Sequence, residues 1–307
     1  MTAYLVKRLA QSVIVVAAVV FIVFSMMFLS GDPATLLLPP DASPKDIEEF
    51  RRQMGFDQPL WEQFFRFVAS LLQGDFGRSY RFQAPALPLV LERLPATIEL
   101  AVSALVCSLA IAIPLGVVSA VRRNTIFDGV AMVFALIGQS TPAFWLGIML
   151  ILVFAVQFGM FPTSGRDSLD SLVLPAVTLG LTLAGRNARL VRSCMLEVLN
   201  ADHIRTARAK GLPEWLVIVK HALRNALLPV LTVVGLELGH LLGGAVVVET
   251  VFAWPGIGLL AVQSVLGRDY PVVQAIIIIS ALVFVLTNLL VDLLYLWLDP
   301  RISYERQ

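Results

Sequence analysis

The residue types that do catalytic chemistry are scarce in this chain and poorly spaced for it. The histidines are His203, His221 and His240, and they form neither His-Glu-x-x-His nor another zinc pattern. No Gly-x-Ser-x-Gly elbow occurs, and no Gly-x-x-x-x-Gly-Lys-[Ser/Thr] loop that could cradle ATP phosphates. Cys107 and Cys194 fall in or beside apolar runs without metal-ligand spacing, and read as small buried side chains. No catalytic residue, bound cofactor or metal is expected of this chain. What stands out instead is polarity inside apolar runs. Glu237 and His240 lie three apart and share a helix face. An ionisable group at the bilayer centre costs at least about 2.5–3.5 kcal/mol, so it faces protein or a water-filled cavity. Two readings stay open: a pair lining a pathway for a charged solute, and mutual satisfaction inside a bundle.

Other polar positions carry paired readings too. Gln139, Ser140 and Thr141 precede Pro142, which removes a helical hydrogen bond. Unwound backbone there either lines a cavity or marks a kink. Asn288 and Asp292 lie i,i+4 and read as structural. Glu249 and the Trp254-Pro255-Gly256 turn are candidates for an outer gate, for contact with an external partner, or for a plain turn.

The richest polar stretch is Asn200-Ala-Asp-His-Ile-Arg-Thr-Ala-Arg-Ala-Lys-Gly-Leu-Pro-Glu-Trp215. Asp202 is placed as N-cap, with Arg205 at the third helical position. Arg208 and Lys210 sit in the last turn, where cations favour the helix dipole. Gly211 stops the helix, and Pro213 starts another through Trp215, Val219 and Leu223. Small Ala207 and Ala209 beside an enforced turn suit a surface that enters a groove in another protein. A solvated basic loop near anionic lipid is the plainer reading.

These positions must be held by elements, and the composition says in what solvent. Of 307 residues, 58% are hydrophobic and 15% charged, against roughly 25% charged in soluble domains. The net charge of +1 gives no case for nucleic acid. Apolar runs of about 20 residues match a hydrocarbon core of about 30 Å. They predict an all-α integral membrane protein with about six spans: Leu9–Leu29, Thr97–Val121, Gly129–Phe158, Leu172–Leu190, Ala226–Phe252 and Val272–Leu298. The first is too long for a signal-peptide core, and Ser30-Gly-Asp-Pro33 is a poor cleavage site. Basic residues recur on one side: Lys7, Arg8, Arg122, Arg123, the group from Arg186 through Arg189, Arg192 and Arg205 to Arg224, then Arg301 and Arg306. Both termini are therefore expected in the cytoplasm.

The organisation expected is a first transmembrane helix over 1–30, an extracytoplasmic region over 31–95, a transmembrane core over 96–298 with a cytoplasmic loop at 191–225, and a cytoplasmic tail over 299–307. In the outer region Pro44 begins a helix with Glu48 and Arg52 paired i,i+4. Trp61, Phe64, Phe65, Phe67 and Val68 predict an amphipathic second helix, packed on membrane or spans or offered to an external partner.

The loop resembles that of binding-protein-dependent ABC importer permeases, whose general form is Glu-Ala-Ala-x-x-x-Gly followed by Ile-x-Leu-Pro. Here Arg205-Thr206-Ala207 precedes Gly211, and His221-Ala-Leu-Arg224 stands at the second element, so that glutamate and proline are absent. The actual form, with Lys220-His-Ala-Leu-Arg-Asn-Ala-Leu-Leu-Pro229, is similar to the dipeptide/oligopeptide/nickel subfamily, in particular its first permease subunit. Gly31-Asp-Pro33, Met54-Gly-Phe-Asp-Gln-Pro-Leu60, Gly74-Asp-Phe-Gly77, Val247 through Gly256, Arg268-Asp-Tyr-Pro271, Asn288 through Tyr295 and Asp299-Pro-Arg301 extend the likeness over nearly the whole chain.

The resemblance implies a multi-pass subunit of the bacterial cytoplasmic (inner) membrane that passes peptides inward. Its partners would be a second homologous permease, two ABC ATPase subunits that hold ATP and Mg, an extracytoplasmic solute-binding protein, and membrane lipid. Asp202, Arg205, Ala207, Lys210, Gly211 and Trp215 would couple to the ATPases. Gln139, Ser140, Glu237 and His240 are candidate pathway residues, and Glu249 and Trp254 candidate outer-gate residues. Nickel, glutathione or another small solute is the alternative cargo. An ion-coupled secondary transporter is the alternative class, which predicts coordinating groups in both halves. Glu237 and His240 have no counterpart in the first three spans.

Overall fold

A computed structural model describes residues 2–29, 43–55, 57–243 and 245–298. The motifs at 31–33 and 299–301, the tail, and Phe56, Gly244, Arg301 and Arg306 lie outside the described residues. The described chain is helical: α1 (Thr2–Leu29), α2 (Pro44–Met54), α3 (Leu60–Leu72), α4 (Ala86–Val121) and α5 (Ile126–Ser140). Then follow α6 (Ala143–Gln157, π-helical from Ile151), α7 (Asp170–Leu199), α8 (Asp202–Ala209) and α9 (Glu214–Leu242, π-helical over Val217–Leu223). The last are α10 (Val246–Val251), α11 (Ile257–Leu266) and α12 (Tyr270–Leu298).

Among the described residues four helices can cross a bilayer by length and composition, in α1, α4, α9 and α12, and five if α5 and α6 form one broken span. The fourth expected span, Leu172–Leu190, falls on α7 and is not among these. Arg186, Arg189 and Arg192 lie within that helix, and such charges lower its hydropathy. The helix also runs to Leu199, past the expected loop start at 191. The span predicted over Ala226–Phe252 is two helices, because α9 ends at Leu242 and α10 begins at Val246. The break in the third predicted span is sharp, with α5 and α6 bent by 100°. Thr141, ahead of Pro142, is driven out of the helical region to φ −79° and ψ 124°.

The chain divides into two compact units. One holds the described residues through Leu94 together with Leu260–Leu286. Here Ser43 and Asp46 form a reciprocal capping box at the start of α2, with Pro44 in the first turn. Glu48 lies 3.6 Å from Arg52, the expected i,i+4 pair. The amphipathic α3 sets Phe64 edge-on to Phe21 and Phe24 at 5.8 and 5.3 Å, so α1 covers part of its apolar face. Trp61 and Phe65 stay exposed.

The loop after α3 is locked by one carboxylate. Asp269 is fully buried and accepts from the Ser79 hydroxyl and from the Tyr80 and Arg81 amides at 3.1 and 3.4 Å. Ser79 Oγ in turn accepts from the Phe82 amide at 2.8 Å. Removing the carboxylate leaves these donors unmade, which costs about 1–3 kcal/mol. Asp269→Ala is therefore expected to speed tryptic cleavage at Arg78 and Arg81 by about tenfold in nanodiscs, through local opening. Wild-type cleavage rates would show that the loop holds without it.

The second unit holds Pro95–Leu259 and the described residues from Thr287. Its cores form around α7. One joins Val191 and Met195 to Ile204, Ala207, Val217, Ala222 and Val230. The other joins Leu100, Leu174 and Leu179 to Val248, Phe252 and Trp254. Close van der Waals packing of these side chains holds α7 as the frame for the polar groups below.

Candidate functional site

The short helix α8 is held from within and open from without. Ile204 and Ala207 are buried in the core shared with α7 and α9, while Asp202, Arg205, Thr206, Arg208 and Lys210 are exposed. Ala207, expected on a partner-facing surface, thus faces its own chain; Ala209 faces out. The N-cap is Ala201, one residue earlier than expected, and Asp202 opens the helix beside its positive dipole end. Its carboxylate lies 3.4 Å from Arg205.

Gly211 closes the helix in the left-handed conformation at φ +76°. Its amide donates to the Arg208 carbonyl at 2.9 Å, and the Leu212 amide to that of Ala207 at 3.4 Å. Across the turn Arg208 grips Glu214 with two hydrogen bonds, at 2.6 and 3.2 Å. That carboxylate raises the Arg208 pKa above its ordinary value. Sequence reasoning assigned Arg208 to the helix dipole and missed this brace; the signal was a cation and an anion flanking Gly-Leu-Pro. Pro213 caps α9, Trp215 stands exposed on its first turn, and His203 meets Asn225 at 3.3 Å. The result is a rigid two-helix corner whose second arm is itself an apolar helix of spanning length.

Higher on α7, Arg186, Arg189 and Arg192 recur every third residue and each reaches another helix. Arg186 donates to Glu237 Oε1 of α9 through Nε at 3.0 Å and Nη2 at 2.5 Å. The neighbouring Asn187, fully buried, donates to Glu237 Oε2 at 2.8 Å and to Ser108 Oγ of α4 at 3.1 Å. Arg192 pairs two-pronged with Asp128 of α5, both bonds at 2.8 Å, and Ser119 and the Asn124 amide complete that carboxylate. Arg189 reaches the side-chain carbonyl of Gln139, at the end of α5. Gly185 permits this approach, because a Cβ there would collide with the Ala135 carbonyl oxygen.

Glu237 therefore finds its counter-charge on α7, and His240, though on the same helix, is exposed. Gln139 and Ser140 are exposed at the broken span. Glu249 and Trp254 are wholly buried. Glu249 accepts from Thr97 Oγ1 at 2.9 Å and the Leu259 amide at 3.0 Å, and Trp254 Nε1 donates to the Ala96 carbonyl at 2.8 Å. Both pin the segment after α9 onto α4. Asn288 Oδ1 is buried and without a partner among the described residues. No group of side chains fit to hold a metal occurs among the described residues, and neither cysteine is in a disulfide.

Comparison with known proteins places this arrangement. The family model for the binding-protein-dependent transport system inner membrane component matches residues 112–304. Its N-terminal companion matches residues 1–101. The glutathione transport system permease protein GsiC of Escherichia coli (strain K12) is 44% identical over 305 residues, covering 98% of this chain and 99% of that protein. The probable D,D-dipeptide transport system permease protein DdpB of the same strain is 45% identical over 321 residues, covering 95% and 94%. Among solved structures, an inward-facing MetNI methionine ABC transporter chain superposes with a TM-score of 0.59 at 21% identity, over 69% of this chain and 96% of that one. That likeness is one of fold. These relatives are transport permeases rather than enzymes, and the chain is a multi-pass protein of the bacterial inner membrane. It belongs to the family of binding-protein-dependent transport system inner membrane components, in the branch of the peptide and glutathione importer permeases.

Proposed function

We propose that this chain is one of two permease halves of an ATP-driven importer that carries short peptides inward, glutathione being a member of the same cargo class. The observation that carries the reading is the corner formed by α8 and α9. Its exposed polar face is closed by Gly211, braced by Arg208 and Glu214, and continuous with a helix of spanning length. A partner that grips α8 therefore moves α9 as a lever, since both share one core. Rigid-body motion of that kind is what alternating access requires.

In this reading Asp202, Arg205, Lys210 and Trp215 meet the ATPase, while Ala207 and Gly211 set the height and angle of the surface they share. ATP and Mg are held by two ATPase subunits, and an external binding protein delivers the solute to a pathway shared with a second permease. The tripeptide and D,D-dipeptide named for the relatives support a cargo of small peptides.

The test is uptake in cells whose energy sources are separated. Depleting ATP is expected to stop peptide uptake, and collapsing the proton gradient at constant ATP to leave it intact. The reverse pattern would place the chain among ion-coupled carriers.

A further inference from the structure

The three arginines of α7 are not equally neutralised. Arg186 has Glu237 and Arg192 has Asp128, each at ion-pair distance. Arg189 meets only the neutral amide of Gln139, and no carboxylate lies within ion-pair reach of it among the described residues. Its Nε is buried and has no hydrogen-bond partner among the described residues. The ladder thus carries one positive charge more than its acceptors return. Arg189 lies at the cytoplasmic end of the expected fourth span, and a guanidinium without a counter-charge is stable there beside water or an anion. Its surroundings fit that demand: Gln139 and Ser140 are exposed where α5 ends, and Thr141 and Pro142 interrupt the helix. Interrupted backbone occurs at membrane depth where it is buried in protein or lines a water-filled cavity, and the exposure of Gln139 and Ser140 favours the second.

We propose that Arg189, steered by Gln139, is an anion subsite on the translocation path that takes the carboxylate of the passing peptide. The inference rests on the importer reading above. Guanidinium matches carboxylate geometry, and the Gln139 amide, by turning, can donate to the same anion. Pairing Arg189 with a neutral acceptor keeps the subsite open and its hold transient. A resident carboxylate would close it, as Asp128 does for Arg192. Passage needs an affinity high enough to admit the solute and low enough to release it.

The experiment uses the full complex in liposomes with binding protein and internal ATP. Two peptides are compared, identical but for a free C-terminal carboxylate or a C-terminal amide, each at a concentration that saturates the binding protein. Arg189→Gln is expected to lower uptake of the carboxylate peptide about tenfold, with amide uptake and binding-protein-stimulated ATP hydrolysis unchanged. Arg189→Lys should keep most of the carboxylate uptake. Gln139→Glu preserves packing but supplies a resident counter-charge, and should reproduce the selective loss even if Arg189→Gln fails to assemble. Equal loss for both peptides, or none, in the variants that assemble overturns the subsite while leaving the importer reading in place. A wild-type complex that moves neither peptide with ATP overturns the importer reading itself.

Discussion

Replacing Gly211 with valine is expected to leave the protein in the membrane and to strip it of its ATPase partners. The reason is backbone alone. Gly211 holds φ +76°, and nothing lies within 4 Å of where a Cβ would stand. An L-residue there is strained by roughly 1–2 kcal/mol, and a β-branched one by more. Reopening the turn relieves the strain, but it gives up the Leu212 amide bond to Ala207 and the grip of Arg208 on Glu214. Docking must then restore the turn at its own expense, which lowers affinity about 5–30-fold. Asparagine tolerates the left-handed region, so Gly211→Asn is expected to keep most of the association. Copurification from mild detergent measures both. Wild-type recovery of partners and wild-type uptake with Gly211→Val would remove this turn from the coupling path.

That turn was readable because its determinants are local. Gly211 ahead of Pro213 fixes a helix stop and a helix start without reference to the rest of the chain, and Pro142 does the same for the break after α5. Apolar runs reveal the long helices for a similar reason: bilayer thickness sets their length. The charged lattice on α7 was not readable in the same way. A helix face pairs residues three or four apart, so the sequence offered His240 as the neighbour of Glu237. The actual partner, Arg186, lies fifty-one positions away on another helix. Counting Arg186, Arg189 and Arg192 as loop charges hid the clue, for three arginines in helical register need acceptors on whatever packs against them. Glu237 and Asp128 stood in the flanking apolar segments as the groups to meet them. The short reach of α9, ending at Leu242, had a local signal in the Gly243-Gly244 pair, which a single span over Ala226–Phe252 runs straight through.

The lattice makes the second large prediction, and the sign of a double variant decides its meaning. Glu237 is 3% exposed and takes three hydrogen bonds, two from Arg186 and one from Asn187. Glu237→Leu leaves the Arg186 guanidinium without its acceptor and the buried Asn187 amide with Ser108 alone. Breaking a buried pair from one side costs about 3–5 kcal/mol, and the low end applies here because the Arg186 side chain is half exposed and can turn to water. Arg186→Leu leaves the more deeply buried carboxylate behind and should destabilise more. Removing both charges together is expected to recover most of the loss, because buried pairs replaced by apolar groups of similar volume are often neutral. The thermal midpoints of the purified variants give the coupling between the two positions. Transport then separates two roles that stability cannot. A static brace between α7 and α9 predicts that uptake returns together with stability in the double variant, and this is the expected result, since Asn187 still ties α7 to Ser108 of α4. A double variant that is stable, binds its partners and yet moves no solute would place Glu237 on the path itself, where its charge changes partner as the permease opens.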